Sequence, residues 1–420
     1  LMEENDLKAA VDEAMKNGRA NRILQAPGLP ELSFEGPSDR GEYESEVEIC
    51  PFSISFSEME ERLFKIDQAL DREGVIKRTG FIGSQKQDKY FYSSSGARLH
   101  QCITHTGAGI SVTVSGPEGR HQTRSLPAPV GNWTQGGFEY LDALKLEQNS
   151  ERLYEEARRI VQARECPSGR FPVVLGPQML ALLVHEVAGH ALELDRALNF
   201  EAAFAGASFL DIAKLGEFVY GPEAITIVSD PTYPKAVSTY GWDDEGSKAR
   251  AVKLIDRGIH VDYLSGIESS STINRQSTAA CRSIGWDRLP IDRMTNVNLL
   301  PGNLESVEDI ISSVDGGLYL DVPSGWSINS DRNGFRFSVE ICRRIKGGEL
   351  GEWLRNGAFS SASTPEFWQK CKSIAKDPPL AAGFNNCAKG QPVQIQYTGH
   401  VVPQGVLFEN VEVGEHGSLD

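Results

Sequence analysis

The chain is most informative at first for what it does not contain. Its seven cysteines, at 50, 102, 166, 281, 342, 371 and 387, are odd in number, scattered, and never fall in a CxxC pair. That argues against a disulfide framework and for reduced thiols, so the expected compartment is the cytoplasm. No stretch approaches the roughly 18 consecutive apolar residues that span a bilayer, so no transmembrane helix is expected. The opening segment LMEENDLKAAVDEAMKNG has neither the basic start nor the apolar stretch of a secretory signal. Lys and Arg number 42 against 58 Asp and Glu, a formal net charge of -16. An acidic surface repels phosphate backbones, so neither nucleic acid nor a membrane is an expected partner. Internal repeats and low-complexity tracts are also missing.

What remains is an ordinary globular composition, 40% hydrophobic and 24% charged over 420 residues. That length supports two or three domains and at least one sizeable core. The chain opens on Leu1 rather than Met, which reads as an expression scar or a cut from something longer. An amphipathic helix is expected over 6–17, then an irregular Pro-, Gly- and acid-rich connection to 52. Ser57 and Glu60 suggest a capping box for a second helix carrying Met59, Leu63, Ile66 and Leu70. After Gly74 the pattern turns to short strands interrupted by Gly and Ser, with Ile110, Val112 and Val114 the clearest alternation. Residues 116–137 read as turn-rich, and a third helix begins near Asn149 and stops before Pro167.

The best boundary lies at 166–169, which divides the chain into an N-terminal α+β domain, 1–166, and a larger strand-rich C-terminal domain, 171–414. Past it come a buried strand, 171–175, and Gly176-Pro177, the expected opening of a helix. A strand is expected at 224–228 and a helix at 306–314. Asn333-Gly334 sits between two alternating apolar runs, the signature of a hairpin, and 393–413 is strand-like again. The fold class is α+β, with mixed and largely antiparallel sheets around one helical metal motif.

That motif is HEVAGH, residues 185–190. Two histidines at i and i+4 lie about 40° apart on a helix and reach one ion; at i+5 the angle is about 140°. His185 and His190 can therefore share a metal only if the helix carries a π-bulge or kink, which Gly189 makes easier. The approach, Met179 to Val184, is nearly all apolar, so the helix is buried. A buried His-Glu pair needs compensation, either a metal with Glu186 as general base or core hydrogen bonds and an ion pair. Catalytic zinc takes three protein ligands and leaves one position open. From chemistry alone the third candidates are Glu193, Asp195, His260, His400 and any cysteine. His400, near Gly399, reads more as a loop residue. Cys387 stands apart because its polar, Gly-rich setting, GFNNCAKGQP, does not suit a core filler.

HEVAGHALELD resembles the signature of the TldD/PmbA metallopeptidases, the "modulator of DNA gyrase" family. In the same order follow VSDPTYP at 228–234, DDEG at 243–246, LIDRGIHVDYL at 254–264, RMTNVNLLPG at 293–302 and CAKGQP at 387–392. The likeness is to the TldD-type subunit, which keeps the metal motif. It implies a Zn2+ ion held by His185, His190 and Cys387, with Glu186 as catalytic base in metal-assisted amide hydrolysis. It also implies a dimer, either of two copies or with a TldE/PmbA-like subunit, acting on a peptide or amide substrate. Arg293, Asn296 and Arg282 are candidates for holding substrate. Asp244, Glu245, Glu193 and Asp195 are candidates for orienting the ligand histidines.

Departures bear on the substrate. The likeness starts late in the family pattern, at the helix LKAAVDEAM. Where the family carries a Gly-Asn-Gly-Arg-Arg turn, this chain reads AACRS, residues 279–283, and Trp242 precedes DDEG. The leading expectation is a zinc peptidase acting on small or unfolded peptides. Its rivals are a hydrolase of a small-molecule or modified-peptide amide in a biosynthetic pathway, and a non-catalytic modulator of a partner.

Overall fold

The computed structural model describes residues 4–24, 36–127, 131–302 and 305–414, in two compact units, 1–35 and 36–420. The first unit is a helix, Glu4–Leu24, that exposes Leu7, Val11 and Met15 on one stripe. It is longer than the expected 6–17. Mixed helix and sheet make up the second unit, as the α+β reading anticipates.

A five-stranded sheet fills its first third. Where short strands are expected after Gly74, two strands of 18 residues run instead, Val75–Tyr92 and Arg98–Ser115, paired antiparallel along their length. The glycines inside them do not interrupt the ladder; they make room for a ring. A Cβ at Gly107 would lie 2.2 Å from the Trp133 indole, and one at Gly83 would lie 2.7 Å from it. Residues 116–137 likewise hold two strands, His121–Leu126 and Asn132–Gln135, both on the edge of Arg98–Ser115. Ile110, Val112 and Val114 face helices Phe56–Leu70 and Leu146–Gln162, which supply Ile66, Leu70, Leu153, Ala157 and Val161. Ser55, not Ser57, caps the first of these helices, accepting from the Glu58 amide.

The larger sheet has eight strands. Gly317–Ile328 pairs with Phe335–Lys346 across the expected hairpin, through a loop in which Asn329 N–H donates to the Gly334 carbonyl and Gly334 N–H to Asn329 Oδ1. Gly317–Ile328 also pairs with Gly169–Leu175, that strand with Val406–Val413, that with Ala358–Ser361, and this last back to Phe335–Lys346, which closes a ring. The fully buried Arg124 and Glu340 tie the two sheets together at 2.6 Å. Ser125 donates to the same carboxylate through both its amide and its hydroxyl. The strand expected at 224–228 is Ile227–Ser229, in a small sheet that also holds Val297–Leu299.

Strand Gly169–Leu175 delivers the chain directly into helix Pro177–Leu183, whose Met179 amide donates to Asp321 Oδ1 at 3.0 Å. Asp321 thus caps the helix from a neighbouring strand. Everything from Met179 to Asp195 is buried, as the apolar run requires.

Candidate metal centre

The helix does not stay α-helical. Val184–Gly189 forms a π-turn, and His190 N–H donates to the His185 carbonyl, five residues back, at 3.1 Å. In a helix closed i to i+5, five residues make roughly one turn, so the two imidazoles return to the same face. Their ring centres are 4.9 Å apart. The distortion that the five-residue spacing demands is present at the expected place. Gly189 is required there, because a Cβ on it would come within 2.0 Å of Met294 Sδ. Met294 is fully buried and its amide donates to Glu193 Oε1 at 3.2 Å, so it has little room to yield. Gly189→Ala is expected to lower stability by about 1–3 kcal/mol through overpacking. A denaturant midpoint equal to that of the parent protein would contradict this.

The third member of the group arrives from the C-terminal hairpin, Leu380–Lys389 paired with Gln394–Val402. Its register shifts between Phe384 and Cys387, and Cys387 is buried with Sγ 3.6 Å from His190 Nε2. The ligand atoms of His185, His190 and Cys387 all lie within 4.8 Å of one another. Nitrogen and sulfur bound to one tetrahedral zinc at about 2.0 and 2.3 Å would sit roughly 3.5 Å apart, so the group fits such an ion.

Hydrogen bonds behind the histidines fix which nitrogen faces that space. His400 Nδ1 lies 2.9 Å from the Val297 carbonyl, which can only accept, so Nδ1 carries the proton and Nε2 is bare. His185 Nδ1 is 2.9 Å from His400 Nε2 and must therefore donate to it, leaving His185 Nε2 as the free lone pair. On the other side, His190 Nδ1 donates to Glu193 Oε2 at 3.1 Å, which frees its Nε2 in the same way. Burial, only partly offset by Glu186, pushes the His185 pKa down to about 4. Burial lowers His190 and His400 as well, so all three favour the neutral ring that binds metal. Burial raises the Cys387 thiol, but Arg293 and then His190 outweigh it and hold the thiol below its ordinary value.

Glu193 is itself held by a buried network. Arg196 Nε donates to its Oε2 at 2.7 Å, and Lys389 Nζ approaches at 3.2 Å while also bonding Asp195 at 2.6 Å. Burial opposes the Glu193 charge, but Lys389, His190 and Arg196 outweigh it and keep the carboxyl well below its usual range.

The three candidate ligands and Glu186 line a cavity of ≈ 460 Å³ walled by Trp326, Phe384 and Arg332. Glu186 Oε2 accepts from Arg332 Nη1 at 3.0 Å. Other expected residues lie elsewhere. Arg293 is fully buried and donates to the Cys387 carbonyl at 2.6 Å, bracing the ligand loop from behind. Asn296 is fully buried too, its amide bonding the Asp230 carbonyl, Thr239 Oγ1 and the Ser238 amide. Arg282 lines a second cavity. Asp244 and Glu245 do not touch either histidine. Asp244 pairs with Lys89 at 2.6 Å and Glu245 accepts from the Ile267 amide, because the DDEG turn faces the first sheet and a helix start. Asp195 reaches Lys389 rather than a ligand. His260 is buried away from the group, its Nε2 at 3.1 Å from the Asp262 carbonyl.

Two contributors escape a reading of the sequence, Arg332 and Lys389; His400, expected in a loop, is a buried strand residue that bonds His185. A lysine two places after Cys387 is the only local hint. His400→Ala is expected to weaken metal binding about 10–100-fold, since His185 would lose the acceptor that fixes its tautomer. Competition with a fluorescent zinc chelator would measure this, and an unchanged affinity would remove His400 from the site.

Comparison with known proteins follows the same lines. Residues 50–165 match the PmbA/TldA metallopeptidase central domain and residues 168–415 the C-terminal domain of that family. The chain belongs to the TldD/PmbA family. A metalloprotease of Methanocaldococcus jannaschii is 31% identical over 400 residues, 94% of this chain and 83% of its own. A zinc metalloprotease TldD homolog of Saccharolobus solfataricus is 28% identical over 269 residues, 63% of this chain and 57% of its own. The TldD/PmbA fold is also that of TldE from Thermococcus kodakarensis, with a TM-score of 0.68 at 18% identity, covering 97% of this chain and 85% of that one. At that identity the likeness is one of fold. No helix among the described residues is long and apolar enough to cross a membrane.

Proposed function

We propose that this chain is a zinc-dependent peptidase that hydrolyses amide bonds in small or unfolded peptides, with its chemistry carried by residues 171–414. The observation that carries the reading is the convergence of His185, His190 and Cys387, with both histidines held so that their free nitrogens face one point beside Glu186. Zinc at that point would supply a water of lowered pKa and polarise the scissile carbonyl. The rest falls to the chain. Glu186, outside the ligand set, accepts a proton at a carboxylate oxygen and returns it to the departing amine. Arg332 fixes that carboxylate in the cavity. Trp326, Ile328 and Phe384 shield the space from bulk water. The strand Leu380–Lys389 has a single strand partner among the described residues, Gln394–Val402. An extended peptide laid beside it would be held through its backbone with little sequence preference. The partner subunit is a second copy or a TldE-like chain, a reading supported by the fold shared with TldE.

The test is hydrolysis of an unfolded protein and a panel of small amides by metal-loaded and chelator-treated protein. Cleavage of the unfolded protein that disappears with the metal is the expected result. Cleavage of small amides alone would replace the substrate class, and no metal-dependent cleavage of either would overturn the reading.

A further inference from the structure

A second cavity, of ≈ 190 Å³, lies between the long strands of the first sheet, the segment 237–244 and the C-terminal hairpin. It is not a continuation of the metal cavity, with which it shares no lining residue. The two are nevertheless close, since Gln396 stands opposite Cys387 in the hairpin register. Trp242, Tyr240 and Tyr397 contribute aromatic surface, and Lys89 is already paired with Asp244.

Two groups in this cavity have polar atoms without partners, and a third is a half-buried cation. Gln396 is 6% exposed, yet neither its amide oxygen nor its amide nitrogen has a hydrogen-bond partner. His105 is 7% exposed, stacked on Tyr397 at 4.2 Å, with Nε2 at 2.9 Å from the Val237 carbonyl. That carbonyl fixes the proton on Nε2, so the unpartnered Nδ1 is a buried bare acceptor. Arg282 spends Nη1 on the Met294 and Tyr397 carbonyls at 2.7 and 2.9 Å and lies over the Tyr240 ring at 5.7 Å. It makes no ion pair among the described residues. Buried polar groups are ordinarily satisfied. One such exception is common; two around one cavity, beside a guanidinium without an ion pair, describe the complement of a ligand.

The missing chemistry can be read from what is present. Arg282 calls for an anion, and a carboxylate suits its planar fork. Gln396 calls for a group with a donor and an acceptor side by side, which a peptide amide provides. His105 Nδ1 calls for one further N–H or O–H. We propose that this cavity binds the C-terminal end of a peptide, its carboxylate against Arg282 and an adjacent amide against Gln396. The inference rests on the peptidase reading and names a second anchoring point for that substrate. A peptide held here by its terminus would present its body toward the neighbouring metal cavity, which favours ends over chain interiors.

The test is calorimetric titration of the full chain carrying Glu186→Gln, stripped of metal with a chelator, so that neither cleavage nor metal–carboxylate contact contributes. The probes are an N-acetylated tripeptide with a free C-terminus and the same tripeptide C-terminally amidated. The free acid is expected to bind at least tenfold more tightly than the amide. Gln396→Met, similar in shape and lacking the amide, should weaken the free acid at least tenfold without lowering the melting temperature, because the amide it removes bonds nothing in the protein. Equal binding of acid and amide, or affinity indifferent to Gln396→Met, would overturn the proposal. Metal-dependent cleavage of unfolded protein beside such a result would leave the peptidase reading standing. Acid-selective, Gln396-dependent binding without any cleavage would be the reverse.

Discussion

Replacing Glu186 by glutamine is expected to slow amide hydrolysis by about 100- to 10,000-fold while leaving the bound zinc unchanged. Glutamine keeps the shape of the side chain and an oxygen able to accept from Arg332 Nη1, the contact that now measures 3.0 Å. It cannot take up a proton at near-neutral pH. Glu186 also stands apart from the three candidate ligand atoms, so its charge would not be needed to hold an ion there. The loss corresponds to about 3–5 kcal/mol of transition-state stabilisation. It should fall on kcat, since the proton moves only as the reaction proceeds. The measurement is steady-state cleavage alongside zinc quantified per chain. Activity within a few-fold of the parent at full zinc content would remove Glu186 from the reaction, and with it the parallel drawn from the HEVAGH motif. A loss of zinc as well as activity would recast Glu186 as part of the metal's own support.

How far such a site can be read from sequence depends on the range of each contact. The five-residue spacing of His185 and His190 is a local property, and it was enough to demand the π-turn between Val184 and Gly189. The apolar run before it was enough to bury the helix. Cys387 could be singled out by its polar setting, but only the likeness of six ordered segments joined it to the histidines. His400 and Arg332 lie 215 and 146 residues from the groups they touch, and nothing nearby in the chain marks Arg332 or shows that His400 would serve His185. The same reason hid the two long strands. Glycines at 83 and 107 look like breaks until Trp133 is seen to occupy the space their side chains would fill. Arg293 and Asn296 were legible as unusual but not as to role, because a residue that braces a loop from behind and one that meets a ligand carry the same side chain. In each case the local rule held where the contact was local and failed where a partner arrived from another sheet.

Cys387→Ala tests the centre from the opposite side, and its expected effect is larger still on the metal. Loss of one of three protein ligands should weaken zinc binding by more than the roughly 10–100-fold typical of an outer partner, so the purified variant should carry less than one zinc per chain. A second consequence is particular to this structure. Arg293 is fully buried, two of its guanidinium nitrogens have no hydrogen-bond partner, and its bond to the Cys387 carbonyl is to the backbone. The sulfur is the group whose charge would answer it, since Arg293 is the strongest influence lowering the Cys387 pKa against burial. Removing the sulfur leaves a buried guanidinium without its counter-charge, a change that commonly costs about 3–5 kcal/mol. The variant should therefore melt well below the parent even when both are stripped of metal, and Cys387→Ala with Arg293→Met should recover part of that loss without restoring zinc. Metal content and melting temperature, each measured with and without a chelator, separate the two effects. A Cys387→Ala chain that holds zinc as tightly as the parent would exclude the sulfur as a ligand. One that loses zinc but melts with the chelator-treated parent would show that Arg293 does not depend on the thiolate.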